Sequence, residues 1–293
     1  LKKYLQLAAQ ILRHGTLRYS GQNFNENRAK SLESLREFIP HGSLSSLQPG
    51  PRSTGPANNA IHNLAAQLAF IKSSFREKGG HLSVEHLGYI RIPKSANTSV
   101  SYAMLVKKYP ALKARNPDET QINFLADVNL HPAKETGRET FFTVVRNPFA
   151  RLVSVYRDFF ETDRAEFIYA GYLFGILPQP IPFAEFVNRI SRIPDRLKDQ
   201  HFKPQHLFLE PYESKGIAVK SFRLEEPPAL ESFLNAYGME LTHRNKSAVA
   251  YDYTQYYSPH VLRQVFELYE GDIKKFGYMQ LYESLKVHIK PET

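Results

Sequence analysis

Residues 87–101 read LGYIRIPKSANTSVS, and the whole fold hangs on their parsing. Residues 87–92 alternate apolar with small or basic positions and carry Tyr89, Ile90 and Ile92, which predicts a short buried strand. Pro93 has no N–H to give to a ladder, so the strand ends there. Residues 94–99 are small or polar and lead into residues 100–107, which predict a helix. A strand that runs through small residues into a helix N-terminus suits a phosphate. The first-turn N–H groups point out of the helix, and its dipole favours an anion there. This is not the glycine-rich loop of nucleotide kinases, which needs glycines at fixed offsets and a lysine followed by Ser or Thr. No glycine stands between Ile90 and Ser101, and Lys94 precedes the turn. The expected cradle therefore has Lys94 reaching back over the anion from the strand end. On this stretch alone, an ordinary strand–loop–helix corner with an exposed lysine fits equally well.

A second stretch separates these readings. Residues 140–160 read TFFTVVRNPFARLVSVYRDFF. Residues 141–145 are a β-rich apolar run, hence a buried strand with Arg146 at its end. Asn147 and Pro148 suit the N-cap and first position of a helix. Phe149, Leu152, Val153, Tyr156 and Phe160 then recur at helical spacing, with Ser154 beside the stripe. An arginine at a strand end and a serine in the next helix can converge on one phosphate, one giving a fork and the other a hydroxyl.

Together the two stretches resemble the PAPS-dependent sulfotransferases. IPKSANTS (residues 92–99) is similar to their 5′-phosphosulfate-binding motif, and VVRNPFARLVSVYRDFF (residues 144–160) to their 3′-phosphate-binding motif. The form is closest to the carbohydrate (type 2) branch, whose motifs run roughly IPK-[ST]-x-x-TS and VR-[DEN]-PFxRLxSxYRxxF. The resemblance covers about residues 87–278, with weak matches between the motifs. It implies the P-loop-like sulfotransferase fold and transfer of a sulfuryl group from PAPS to a hydroxyl, here of a carbohydrate. Adenosine 3′,5′-bisphosphate is then the product, and no metal is required.

The resemblance also implies roles. Lys94 meets the charge that grows on the departing bridging oxygen. The backbone N–H groups of Ser95, Ala96, Asn97, Thr98 and Ser99, with the Thr98 and Ser99 hydroxyls, hold the 5′ end. Arg146 and Ser154 hold the 3′-phosphate, while Arg151 reads as a surface residue. The acceptor hydroxyl needs a base. His131, in a loop before the second motif, comes first, then His201, then Glu161 and Asp163. A small alcohol, a phenol or a protein tyrosine as acceptor, and a non-catalytic PAPS- or glycan-binding homologue, are the other readings. Lys94, Arg146 and Ser154 speak against the last.

Length and composition set the frame. The 293 residues suit one large domain, divided here into a helical N-terminal segment (1–80) with a Pro/Gly/Ser-rich loop, and a main domain (81–293). The formal net charge of +9 suits an anionic nucleotide and an anionic glycan; the basic residues form no blocks, and no nucleic-acid motif appears. The absence of cysteine excludes disulfides, zinc thiolates and thiol nucleophiles. No apolar run approaches membrane-spanning length and no signal peptide is visible. These features predict a cytoplasmic, bacterial enzyme, or one of the secretory lumen if an N-terminal anchor was trimmed.

Along the chain, Tyr4, Leu5, Ala8, Ile11 and Leu12 place one apolar face on a helix over residues 1–18. Residues 38–59 read as a long irregular loop, and residues 60–75 as an amphipathic helix stopped by Gly79 and Gly80. Residues 117–120 look like a helix start. HFKPQ (residues 201–205) resembles a short H-[WF]-x-P-Q motif of parts of the family. Residues 217–224 predict a strand, a helix follows from Pro228, and a last helix spans 258–276 with a serine cap and a packing role. Strands alternating with helices predict an α/β fold around a central parallel sheet flanked by helices.

Overall fold

The computed structural model describes residues 2–14, 35–39, 80–133, 139–161, 176–177, 181–242 and 251–289. The loop expected at 38–59 lies outside these from residue 40 on, as do the helix expected at 60–75 and the candidate base Asp163.

A five-stranded sheet lies at the centre: β1 (Gly80–Val84), β2 (Leu87–Ile90), β3 (Leu130–Pro132), β4 (Thr140–Val145) and β5 (Val219–Arg223), in the order β3-β1-β2-β4-β5. The fold is α/β, as the strand–helix alternation predicts. β2, β4 and β5 run parallel, in register Ile90↔Thr143↔Ser221. β1 runs antiparallel to both β2 and β3. The sheet is therefore mixed, its parallel part extended by an antiparallel strand that the sequence reading missed. Gly88 allows close packing inside this sheet, because a Cβ there would stand 2.5 Å from the Phe141 ring.

The helices among the described residues are α1 (Lys2–His14), α2 (Asn97–Lys108), α3 (Leu112–Arg115), α4 (Glu119–Val128), α5 (Pro148–Phe160), α6 (Phe183–Ser191), α7 (Glu210–Glu213), α8 (Pro227–Ala236), α9 (Pro259–Lys275) and α10 (Met279–His288); α3, α7 and α10 were not expected, and α10 follows the helix read as the last. The caps follow the sequence. Asp118 and Gln121 close a capping box on α4, Asn147 accepts from the Phe149 and Ala150 amides on α5, and Ser258 accepts from the Val261 amide on α9. Each such cap holds its helix end by about 1 kcal/mol.

Three expectations need correction. On α1 it is Leu7 that is buried, whereas Tyr4 and Leu5 are 37% and 63% exposed. Leu5 and Leu7 stand about 200° apart on a helix, so burying one turns the other outward. His131 does not lie in a loop: it sits in the short edge strand β3, paired with His81. An edge strand tolerates the adjoining Pro132, which reads as a loop signal in the sequence. Arg151 is not on the surface; it is among the largest fully buried side chains.

Two large cores cover the two faces of the sheet. One joins Leu82, Leu87, Tyr89, Phe142 and Val144 to α2, α4 and α8. The other joins Ile92 and Val145 to α5, α6, α9 and Leu7. The helix after β2 and the helix after β4 thus pack on opposite faces. The carboxyl ends of these two adjacent parallel strands face a crevice, which is where open α/β sheets bind ligands.

Candidate anion and transfer site

Lys94 and Ala96 both take left-handed backbone conformations, with φ 65° and 55°. Neither is glycine, so the turn holds strain of the kind found at ligand clamps. A left-handed residue inside such a turn aims successive N–H groups at one point and makes a concave anion nest. Ala96 is also the N-cap of α2, yet its methyl offers no acceptor, and the first turn carries no acidic residue. The N-terminal end of α2 thus carries neither a side-chain cap at Ala96 nor an acidic residue, the kind of helix end that favours an anion. The loop sits deep: Ser95 is fully buried, and Thr98 and Ser99 nearly so.

The neighbours of this loop are fixed by polar contacts. The Arg91 guanidinium donates to the side chains of Asn97 (3.0 Å) and Asn123 (3.1 Å), and pairs with Asp127. The Asn123 amide donates to Thr98 Oγ1 (3.3 Å). The Asn97 side chain is thereby engaged with Arg91 and Asn123, so its contribution to an anion is its backbone N–H.

Arg146 stands at the end of β4, and its guanidinium donates to the Lys94 carbonyl at 3.3 Å. The two sequence motifs meet at this contact. The next amide, Asn147 N, donates to Glu225 (2.8 Å), whose other oxygen accepts from Tyr278 (2.9 Å). On α5, Arg151, Ser154 and Asp158 share a face at three- and four-residue spacing. Arg151 donates to the Pro93 carbonyl (3.0 Å), and Asp158 pairs with Lys94 Nζ (3.0 Å). Ser154, half-buried, lies between them along the helix.

Arg151 makes a three-way clamp. Beyond Pro93 it donates to the carbonyls of Lys203 (3.0 Å) and Gln200 (3.2 Å). Its burial pulls the guanidinium pKa below the usual arginine value, with Tyr269 and Asp272 nearby acting the other way. The clamp brings residues 200–203 beside the Lys94 loop. His201 belongs to that segment, and its Nδ1 stands 2.7 Å from Asp199. A carboxylate on Nδ1 favours the tautomer with Nε2 as the basic nitrogen. His131 stacks its ring on His81 at 5.8 Å, on a strand separated from β2 by β1. The Glu161 carboxylate accepts from Arg157 (2.8 Å) and Tyr256 (2.8 Å). Lys94 and Arg146 thus come together, with Ser154 on the helix that Arg151 and Asp158 tie to the same loop and the His201 segment held beside it; His131 stands on the edge strand, and Glu161 caps α5 one turn past Asp158. Among the described residues, no group of three or more His, Cys, Asp or Glu could hold a metal ion, and no helix is long and apolar enough to cross a membrane.

The sequence reading overlooked Asp158, Asp199, Glu225 and Asp272. Asp272 lies inside LYEGDIKKFGY, the end of the helix over 258–276, which resembles the family's C-terminal signature and was given a packing role. It is fully buried and accepts from the amides of Gln205 (2.7 Å) and His206 (2.8 Å), with His206 Nδ1 a further 2.7 Å contact. That hydrogen bond raises the His206 pKa against the effect of burial. Beyond that resemblance, a lone acidic residue inside an amphipathic stripe was its signal.

A left-handed turn between one parallel strand and the helix after it, tied through Arg146 to the end of the next strand, is the site that this α/β fold presents. Residues 83–279, more than half of the 293-residue chain, match the model of the Sulfotransferase family, and the chain belongs to that family. No curated relative and no solved structure matches it.

Proposed function

We propose that this sulfotransferase moves the sulfuryl group of PAPS onto a hydroxyl of a carbohydrate and releases adenosine 3′,5′-bisphosphate. The observation that carries this reading is the contact between the Arg146 guanidinium and the Lys94 carbonyl. It joins a cation for one end of the nucleotide to the nest for the other. The carbohydrate acceptor is supported by the form of residues 92–99 and 144–160 and by the surplus of 38 basic over 29 acidic residues. In this reading residues 81–293 form the transferase domain, with the segment 1–80 beside it.

The acceptor oxygen attacks sulfur in line, the bond from sulfur to the bridging oxygen breaks, and the acceptor proton passes to a base. Lys94 exchanges Asp158 for the bridging oxygen, where negative charge grows. The α2 N-terminus and the nest hold the 5′ end; Arg146 and Ser154 hold the 3′-phosphate. His201 ranks before His131 as the base, supported by Asp199 on its Nδ1 and by the carbonyl of Gln200 sharing the Arg151 guanidinium with that of Pro93. His201→Gln is expected to lower kcat by about a hundredfold or more, read by single-turnover transfer. His131→Gln should leave it near wild type, and the reverse pattern would restore His131 to the role.

Calorimetric titration with adenosine 3′,5′-bisphosphate, with ATP and magnesium as control, tests the donor site. Micromolar binding of the bisphosphate alone is expected; no binding would overturn the reading. Arg146→Ala should weaken the bisphosphate by about tenfold or more, a charged hydrogen bond being worth about 1.5–3 kcal/mol. An analogue without the 3′-phosphate should lose little. Equal losses would make Arg146 structural only. An acceptor screen beginning with glycans then decides the second substrate.

A further inference from the structure

Gln205 is fully buried and touches both motifs at once. Its side-chain oxygen accepts from Ser95 Oγ (3.2 Å) and from the Arg146 amide (2.9 Å), and its nitrogen donates to the Arg146 carbonyl (2.8 Å). Meeting both the N–H and the C=O of one residue is what a neighbouring strand does in a ladder. The side-chain amide thus extends the sheet by one residue past the end of β4, and the same oxygen pins the loop past the end of β2.

The glutamine is itself held from behind. Its backbone amide donates to Asp272, and Asp272 also takes the next amide and the His206 ring. One turn earlier on α9, where the helix departs from helical geometry, the Tyr269 hydroxyl donates to the Phe202 carbonyl at 2.7 Å. Two points on α9 therefore fix the segment that carries Gln205. The Ser95 hydroxyl, wholly buried, is committed to Gln205. That side chain sets the loop, and only the backbone of Ser95 is left for an anion.

We infer that Gln205 is a positioning residue that fixes the spacing between the Lys94 loop and Arg146, so that a ligand anionic at both ends binds the two loops as one unit. The inference rests on the nucleotide reading above. Two anion sites at fixed spacing reinforce each other, because the second contact forms without a fresh loss of freedom. When the spacing is loose, each site still takes its own phosphate, but the joint advantage disappears.

Calorimetric titration with adenosine 3′,5′-bisphosphate, adenosine 5′-monophosphate and adenosine 3′-monophosphate tests this, on wild type, Gln205→Met, Ser95→Ala and the double variant. Methionine keeps the volume and removes all three bonds. The expected result is a bisphosphate affinity about tenfold or more lower in Gln205→Met, with each monophosphate within about threefold of wild type. The double variant should be no worse than Gln205→Met, because both changes break one link. Equal losses for all three nucleotides, or no loss, overturn the inference. If Gln205→Met does not fold, Ser95→Ala decides alone: a loss confined to the bisphosphate supports the inference, and a uniform loss or none overturns it. Wild-type protein that binds none of the three overturns the nucleotide reading and this inference with it; wild-type binding with uniform losses in the variants overturns this inference only.

Discussion

Lys94→Ala is expected to lower the turnover of sulfuryl transfer by roughly two to three orders of magnitude while leaving affinity for adenosine 3′,5′-bisphosphate nearly intact. The asymmetry follows from where the charge is needed. In the ligand-free protein, Lys94 Nζ rests 3.0 Å from Asp158, with both side chains partly exposed. That pair contributes about 1 kcal/mol at most to stability, so its loss barely disturbs the fold. The nest and the α2 N-terminus, which carry much of the ground-state binding, are backbone features and survive the substitution. What disappears is a cation beside an oxygen that becomes more negative as the bond to sulfur breaks, an interaction stronger in the transition state than before it. Single-turnover transfer and calorimetry on the same preparation separate the two quantities. Unchanged turnover would remove Lys94 from the chemistry. Turnover and binding lost in equal measure would make it a binding residue only.

The second large effect is on stability. Arg151→Met should destabilise the protein by about 3–5 kcal/mol, read as a lower urea midpoint at unchanged slope. The buried carbonyl of Pro93 and the part-buried carbonyls of Gln200 and Lys203 lose their donor together, and a large buried side chain loses its partners. A stranded buried acceptor costs about 1–3 kcal/mol and the part-buried ones less, while relieving a buried charge offsets part of the sum. A surface arginine would move the midpoint by less than about 0.5 kcal/mol, and that result would place the guanidinium in solvent. Because the clamp joins the Lys94 loop to the segment of His201, activity should fall along with stability.

The contrast between these two residues shows what the sequence carried. Lys94 and Arg146 were legible because strand ends announce themselves: an apolar run stops, a proline or a cap follows, and the charged residue there has one place to be. The parallel β2–β4–β5 core and the helices that follow it were legible for the same reason. Arg151 was not, because an arginine at helical spacing looks alike whether it faces water or a knot of carbonyls. β1 (GHLSV) and β3 (LHP) were missed because the glycine, serine and proline in them read as turn residues. His131 was misplaced by the proline beside it. Gln205 closes the HFKPQ stretch that the sequence did flag, but what it and Asp272 hold follows from the meeting of segments 67 residues apart, which no local pattern records.

The left-handed turn at Lys94 and Ala96 bears on when the protein loses its freedom. Glycines in this position would leave the unfolded chain many conformations and the folded loop some play. Lysine and alanine visit the left-handed region rarely, so the rest of the fold must force them there. The loop is thus set when the chain folds, and a ligand arriving there later meets a finished shape. Ordering entropy falls on folding, once per molecule, and each round of binding proceeds without it. A transferase, which takes up and releases its substrates at every turnover, gains speed from that arrangement as well as affinity.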